Sequence, residues 1–66
     1  MGALKVHQEM ALAKYERMGP MDKRRVNMRL DELAKQKGYT NAREMFDQKP
    51  YIWRQMCADT VTRLFP

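Results

Sequence analysis

The sequence predicts an all-α fold, a compact domain of four helices joined by short connections. Apolar residues recur at spacings of three and four along most of the chain, which is the period of an amphipathic helix. Glycine and proline interrupt this pattern at three internal places, and no long run of β-branched residues suggests a strand. With 66 residues, we expect a single domain covering residues 1–66.

The first predicted helix covers residues 3–18. Its thin apolar stripe includes Ala11 and Tyr15, with charged residues between them. We expect Gly19-Pro20 to end this helix, because proline has no amide hydrogen and disfavours helical backbone in the residue before it.

The second predicted helix covers residues 22–37. Asp22 suits its start, because the amino-terminal end of a helix carries a partial positive charge. Val26 and Leu30 lie four residues apart on its apolar face. Gly38 favours the left-handed backbone that commonly follows the last turn of a helix.

The third and fourth predicted helices cover residues 41–48 and 51–65. Asn41 followed by Glu44 resembles a capping box, in which two side chains satisfy free backbone amides at a helix start. Pro50 is tolerated in the first turn of a helix, so it separates the two helices without preventing the second.

The apolar pattern also predicts which side chains form the core. We expect the core to contain Val26, Leu30, Leu33, Phe46, Met56, Val61 and Leu64. The chain has seven methionines, whose flexible side chains suit both irregular cores and adaptable binding surfaces. We assign Met10, Met45 and Met56 to the core, and Met18, Met21 and Met28 to a partner surface.

The small size of the chain predicts self-association. A single core below about 70–80 residues seldom supplies more than about 3–5 kcal/mol, and one cysteine excludes an internal disulfide. We therefore expect a homodimer. The apolar stripe of the fourth helix and its aromatic start predict the dimer or partner interface: Tyr51, Trp53, Met56, Val61 and Leu64.

The charge of the chain favours an anionic partner. Its formal net charge is +5, and residues 22–38 carry six basic residues against three acidic ones. If that partner is a nucleic acid, we expect phosphate contacts from Lys23, Arg24, Arg25 and Arg29, and base contacts from Arg54 and Gln55. A solvated helix face explains the same charges equally well, and so does contact with an acidic protein.

The residue inventory argues against several other functions. One histidine and one cysteine do not make a zinc site, and no glycine-rich phosphate loop occurs, so we expect no metal, no cofactor and no enzymatic activity. No apolar stretch is long enough to span a membrane, and no signal peptide is visible. A lone Cys57 within an apolar stripe is typical of the reducing cytoplasm, where we expect this protein.

Residues 29–46, from Arg29 through Phe46, resemble the start of a phage-repressor or Cro-type helix-turn-helix domain. The resemblance lies in a helix that ends in Lys-x-Lys-Gly and is followed by a threonine-capped helix with an early alanine. It implies that residues 40–48 form the first motif helix and that the recognition helix begins near Tyr51. It also implies a dimeric transcriptional regulator that reads the major groove, a kind of protein that many phage and mobile-element genomes encode.

Two alternatives remain open. Residues 25–30 alternate polar and apolar side chains and resemble the DNA-reading strand of ribbon-helix-helix regulators, although helical spacing explains them too. The chain also fits a small protein-binding inhibitor or adaptor, homodimeric, that docks on an acidic or helical surface of a partner protein. The salt dependence of binding separates nucleic-acid binding from protein binding, because the affinity for phosphates falls as a power of the salt concentration.

Overall fold

Four α-helices follow one another in the computed structural model, which describes the backbone of residues 2–66 and the side chains from residue 6 onward. They are α1 (Gly2–Glu16), α2 (Pro20–Gln36), α3 (Ala42–Gln48) and α4 (Pro50–Leu64). The predicted bounds of the first two helices are shifted: α1 ends at Glu16, before Gly19-Pro20, and α2 begins at Pro20 and not at Asp22, because proline is tolerated in the first turn of a helix. No strand occurs in residues 2–66, so the all-α prediction is confirmed. The segment of the ribbon-helix-helix alternative, residues 25–30, lies within α2, so that alternative is wrong.

Helix α4 is the centre of the fold and packs against each of the other three helices. Its buried residues are Cys57, Ala58, Thr60 and Val61, which cover more than one side of the helix. The radius of gyration is 11.4 Å, close to the roughly 11 Å expected of a compact 66-residue domain. Exposed residues such as Arg54, Asp59 and Arg63 occupy the sides of α4 that the other helices leave uncovered.

Helix α2 ends in a Schellman motif, as Gly38 predicts. Gly38 has a φ of 97°, and its amide donates to the Lys35 carbonyl oxygen, while the Tyr39 amide donates to that of Ala34 at 2.9 Å. A side chain at position 38 would be strained by this left-handed backbone whatever space surrounds it. The tight turn brings the start of α3 back against α2.

Two carboxylates and one side-chain amide accept hydrogen bonds from the backbone N–H groups at the start of α3. Asn41 accepts a hydrogen bond from the Glu44 amide at 2.9 Å, as expected of a capping box. Glu44 accepts from the amide of Thr40, one residue earlier than in the standard arrangement, at 2.6 Å. From α2, Asp31 accepts from the Ala42 amide at 2.8 Å, so α2 holds the position of α3 directly.

The core is built on α2 and α4. Val26, Leu30 and Val61 are buried, as predicted, and so is Met45. Leu33 and Met56 were also expected in the core, but they are only half-buried, because they line a groove between α2 and α4.

Three core predictions are wrong. Phe46 is 42% exposed because the neighbouring Met45 faces the core, which leaves Phe46 at the surface in edge-to-face contact with Trp53. Leu64 is 37% exposed because it is the last residue of α4 and lies at the rim of a groove. Met10 is 67% exposed because the neighbouring Ala11 faces the core, and adjacent helical residues point about 100° apart.

Candidate partner-binding surfaces

The four basic residues predicted to contact phosphate lie on different sides of α2. Lys23 is half-buried, with its ammonium 5.6 Å from the centre of the Tyr15 ring. Arg25 lies on another side, with its guanidinium 5.4 Å from the centre of the Phe65 ring. Arg29 forms an ion pair with Glu32 at 3.6 Å. Each of these three is oriented by a contact within the chain.

Arg24 belongs to a different surface, which we call the outer face of α2. Its members are exposed and lie within about 60° of one another around the helix: Met21, Arg24, Met28 and Lys35. This face points away from Val26, Leu30 and Ala34, the buried residues of α2. Met21 is 81% exposed and Met28 is 61% exposed. Two large apolar side chains therefore lie among basic ones.

The three methionines assigned to a partner surface are divided by the structure. Met21 and Met28 are on the outer face of α2, as expected. Met18 instead packs against the core and is half-buried, so its assignment to a partner surface is wrong. It follows Arg17 in the turn after α1, where the chain bends back toward α2.

The residues expected to read bases, Arg54 and Gln55, lie on the side of α4 that faces α1. They line a shallow depression together with Tyr51, Gln8 and Glu9. The predicted phosphate contacts Arg25 and Arg29 are on α2. The structure does not bring the two predicted groups together into one surface.

A groove between α2 and α4 lies on the opposite side of α4. Arg63 lines it, and because Arg63 is nine residues from Arg54, the two arginines point in opposite directions around the helix. The groove has a volume of about 160 Å³ and combines an apolar floor with charged edges: Arg29, Leu33, Met56, Asp59, Thr60, Arg63 and Leu64. Its two arginines are accompanied by the carboxylates of Asp59 and, through the ion pair with Arg29, Glu32.

The residues expected at a dimer or partner interface have separate environments. Val61 is buried in the core and is not on the surface, so it does not belong to an exposed interface. Trp53 is half-buried within the chain, and Met56 is half-buried in the α2–α4 groove. Tyr51 and Leu64 are exposed but lie in different depressions of α4.

An aromatic cluster explains where Trp53 packs. Its ring makes edge-to-face contacts with Tyr15, at 6.0 Å between ring centres, and with Phe46, at 5.2 Å. The Tyr15 hydroxyl donates to the Asn27 side chain at 3.0 Å, and burial raises the pKa of Tyr15. This cluster joins α1, α3 and α4, and the sequence did not indicate it because its members are far apart along the chain.

Cys57 is not available for thiol chemistry on the surface of the folded chain. It is buried on α4, and burial raises its pKa from 9.0 to about 12. A thiolate is the reactive form of cysteine, so the folded chain keeps this group in its unreactive form.

Two kinds of site are absent from the part of the chain that the structure describes. No group of three histidine, cysteine, aspartate or glutamate side chains there is arranged to hold a metal ion. No helix there is long and apolar enough to cross a membrane.

A scan against models of protein families, a search of curated proteins and a search of solved structures each found no match for this chain.

Proposed function

We propose that this chain is a small protein-binding protein, an adaptor or inhibitor, that docks through the outer face of α2 on an acidic surface of a partner protein. The observation that carries this proposal is the exposure of Met21 and Met28 beside Arg24 and Lys35. Helix α2 points these four side chains away from its own core, so they do not stabilise the fold by burial.

The chemistry of this face suits a protein more than a nucleic acid. Methionine is flexible and polarisable, and it is common on surfaces that adapt to apolar side chains of a partner. Phosphate groups offer no apolar surface for Met21 and Met28 to bury. Arginine is enriched at the energetically important positions of protein interfaces, which suits Arg24 at the centre of this face.

The positive net charge of the chain favours a partner surface of negative charge. The chain carries a formal net charge of +5. One acidic neighbour of the outer face, Asp31, accepts a hydrogen bond from the Ala42 amide, and another, Glu32, is paired with Arg29. An acidic partner would be attracted over several ångströms, and this attraction mainly raises the association rate.

Nucleic acid binding is the second candidate, and a separate observation favours it. Arg25 and Arg29 are four residues apart on one edge of α2, and Arg63 lines the same groove as Arg29. Phosphate contacts at this edge would position the chain without reading sequence. A helix-turn-helix arrangement of α3 and α4, base contacts from Arg54 and Gln55, and a role in transcription belong to this candidate.

Self-association and a cytoplasmic location are also part of the proposal. The thin core of a 66-residue chain favours a second copy, and the buried, free thiol of Cys57 suits a reducing compartment.

One experiment compares three forms of the whole chain as affinity baits in a cell extract: wild type, Met21→Ser/Met28→Ser and Arg25→Ala/Arg29→Ala. All substituted side chains are exposed, so the variants should fold, and circular dichroism checks this. We expect an acidic protein that is retained by wild type and lost from the methionine variant. It should then bind purified wild-type chain directly, with at least about a tenfold weaker affinity for the methionine variant.

Binding to random duplex DNA distinguishes the second candidate. If the partner is DNA, wild type should bind at about 50 mM salt, and the arginine variant should reduce the salt slope by about two units. The methionine variant should then bind DNA like wild type. DNA binding of this kind, with no protein retained through the methionines, would overturn the protein-binding proposal.

A further inference from the structure

Helix α1 has a second apolar stripe on the side that points away from Ala11 and Tyr15, and Met10 in this stripe also borders a depression that is lined by Val61, Phe65 and Pro66 at the end of α4. Val6, Met10 and Ala13 follow one another at spacings of four and three, and Arg17 continues the series four residues later. All four side chains are exposed, with Val6 at 54% and Met10 at 67%. The core-facing side of the same helix carries Ala11, Leu12 and Tyr15.

This spacing is that of a coiled-coil seam. In a two-stranded coiled coil, apolar residues at alternating spacings of three and four meet along the contact line. Residues on the two flanks of the seam determine which helix orientation is favourable. On α1, one flank carries Glu9 and Glu16, and the other carries Lys14.

The flanking charges are complementary for two parallel copies of α1. In a parallel pair, each residue on the flank of Glu9 and Glu16 faces the other helix. It lies beside the residue of that helix whose number is five higher, on the flank of Lys14. Glu9 therefore lies beside Lys14 of the partner subunit, and the two-fold axis repeats this pair. In an antiparallel pair, Glu9 would lie beside Glu16 of the partner subunit, which is repulsive.

Arg17 ends the seam without preventing it. It lies beyond the apolar part of the stripe, where its long side chain is exposed, and Glu16 is on the adjacent flank. Lys14 already donates a hydrogen bond to the Phe65 carbonyl. An ammonium group has three hydrogen-bond donors, so Lys14 can keep this bond while pairing with a carboxylate.

We propose that Val6, Met10 and Ala13 form the contact surface of a parallel homodimer, in which two copies of α1 pair side by side. The fold already holds α1 as a helix against α4, so pairing does not have to order it first. The inference rests on the self-association included in the proposed function and gives it a surface. Because this surface is on a different helix from the outer face of α2, a failure of the dimer would leave the proposed partner binding standing. It also differs from the α4 interface that the sequence predicts.

The test is sedimentation equilibrium of the whole chain at low salt, over about 10 μM to 1 mM, the range in which a short seam is expected to associate. We expect wild type to shift from monomer toward dimer across this range. Met10→Lys should raise the dissociation constant at least about thirtyfold, because it places two like charges in the seam. Met21→Lys is the matched control, since it makes the same change on the outer face of α2 and should leave the dimer unchanged.

Charge exchange tests the orientation. Glu9→Lys and Lys14→Glu should each weaken the dimer about three- to tenfold, and the double variant Glu9→Lys/Lys14→Glu should recover most of the loss. Recovery is specific to the pair, because the double variant does not restore the bond from Lys14 to Phe65.

Three results would overturn the proposal. The first is a wild-type chain that stays monomeric throughout the concentration range. The second is a Met10→Lys variant, folded by circular dichroism, that dimerises like wild type. The third is a tighter dimer in Glu9→Lys, which would indicate an antiparallel pair or another surface.

Discussion

Helices α1 and α2 are similar in length, yet the fold holds them in different ways. Helix α2 buries Val26, Leu30 and Ala34 completely. Among the side chains described from residue 6 onward, α1 buries Ala11 and contributes larger residues only as half-buried contacts. Helix α2 therefore supplies large aliphatic side chains to the core, whereas α1 packs against α4 with Ala11 in the core and with Tyr15 in edge-to-face contact with Trp53.

This difference explains where the two helices expose apolar side chains. A helix with large aliphatic residues on one side packs against the core through that side alone. Its outer face can then carry exposed apolar residues such as Met21 and Met28 on α2. Helix α1 divides its apolar residues between an inner and an outer side. Substitutions in the two helices test this contrast between aliphatic packing in α2 and alanine and aromatic packing in α1.

The largest effect is expected in α2 at Leu30. Leu30→Ala should lower the free energy of unfolding by about 2–5 kcal/mol, because it removes buried methyl groups and leaves a cavity. Leu12→Ala removes the same atoms from a half-buried position in α1 and should cost about half as much. Urea denaturation measures both values, and equal losses would contradict the contrast.

A smaller loss is expected where α2 holds α3. Asp31→Ala should cost about 1–2 kcal/mol, because it leaves the Ala42 amide without its acceptor at the start of α3. Asp31→Asn keeps an acceptor oxygen at the same place and should cost clearly less. The two melting temperatures can be compared directly, and identical values would show that this hydrogen bond does not position α3.

On α1 the corresponding polar contact is weaker. Tyr15→Phe should cost about 0.5–1 kcal/mol, because it removes an exposed hydrogen bond to Asn27 and keeps the ring contact with Trp53. In an Asn27→Ala background the same substitution should cost close to nothing. A double-mutant cycle by urea denaturation tests this, and an undiminished cost in that background would mean that the hydroxyl acts through another group.

The smallest effect is the pH dependence contributed by Glu44. The Thr40 backbone amide holds the pKa of Glu44 below its usual 4.5, so the stabilisation is fully present above about pH 4.5. It is lost as the pH falls through the lowered pKa of the folded chain. Melting temperatures of wild type and Glu44→Gln should therefore differ near neutral pH and converge in acid. A difference that stays constant down to pH 3 would rule out this contact as its source.

Local signals in the sequence determined most of the helix boundaries. Gly19-Pro20, Gly38, Asn41 with Glu44, and Pro50 all act within four or five residues of their own position. Their effects depend on backbone geometry and nearby hydrogen bonds, which need no tertiary structure. The predicted all-α fold followed from these signals and from the apolar period.

The candidate surfaces were less predictable. The basic residues of α2 were expected to act with Arg54 and Gln55, but these two groups are on different helices and line different surfaces. Sequence position does not give the rotation of one helix relative to another. Met21 and Met28 were expected on a partner surface because they lie near or beyond the junction of the first two helices, and both are exposed.

The sequence by itself determined where the breaks between helices fall, to within about two residues, and which side of α2 is buried. Those properties depend on short-range backbone chemistry and on the helical spacing of Val26, Leu30 and Ala34. Only the tertiary structure decided the environments of Met10, Phe46 and Leu64. Helices α1 and α4 carry apolar residues on more than one side, so their patterns are compatible with several rotations. The packing of α1, α2 and α3 around α4 selects one of these rotations, because it buries Ala11, Val26 and Val61 together and leaves the other apolar side chains at the surface.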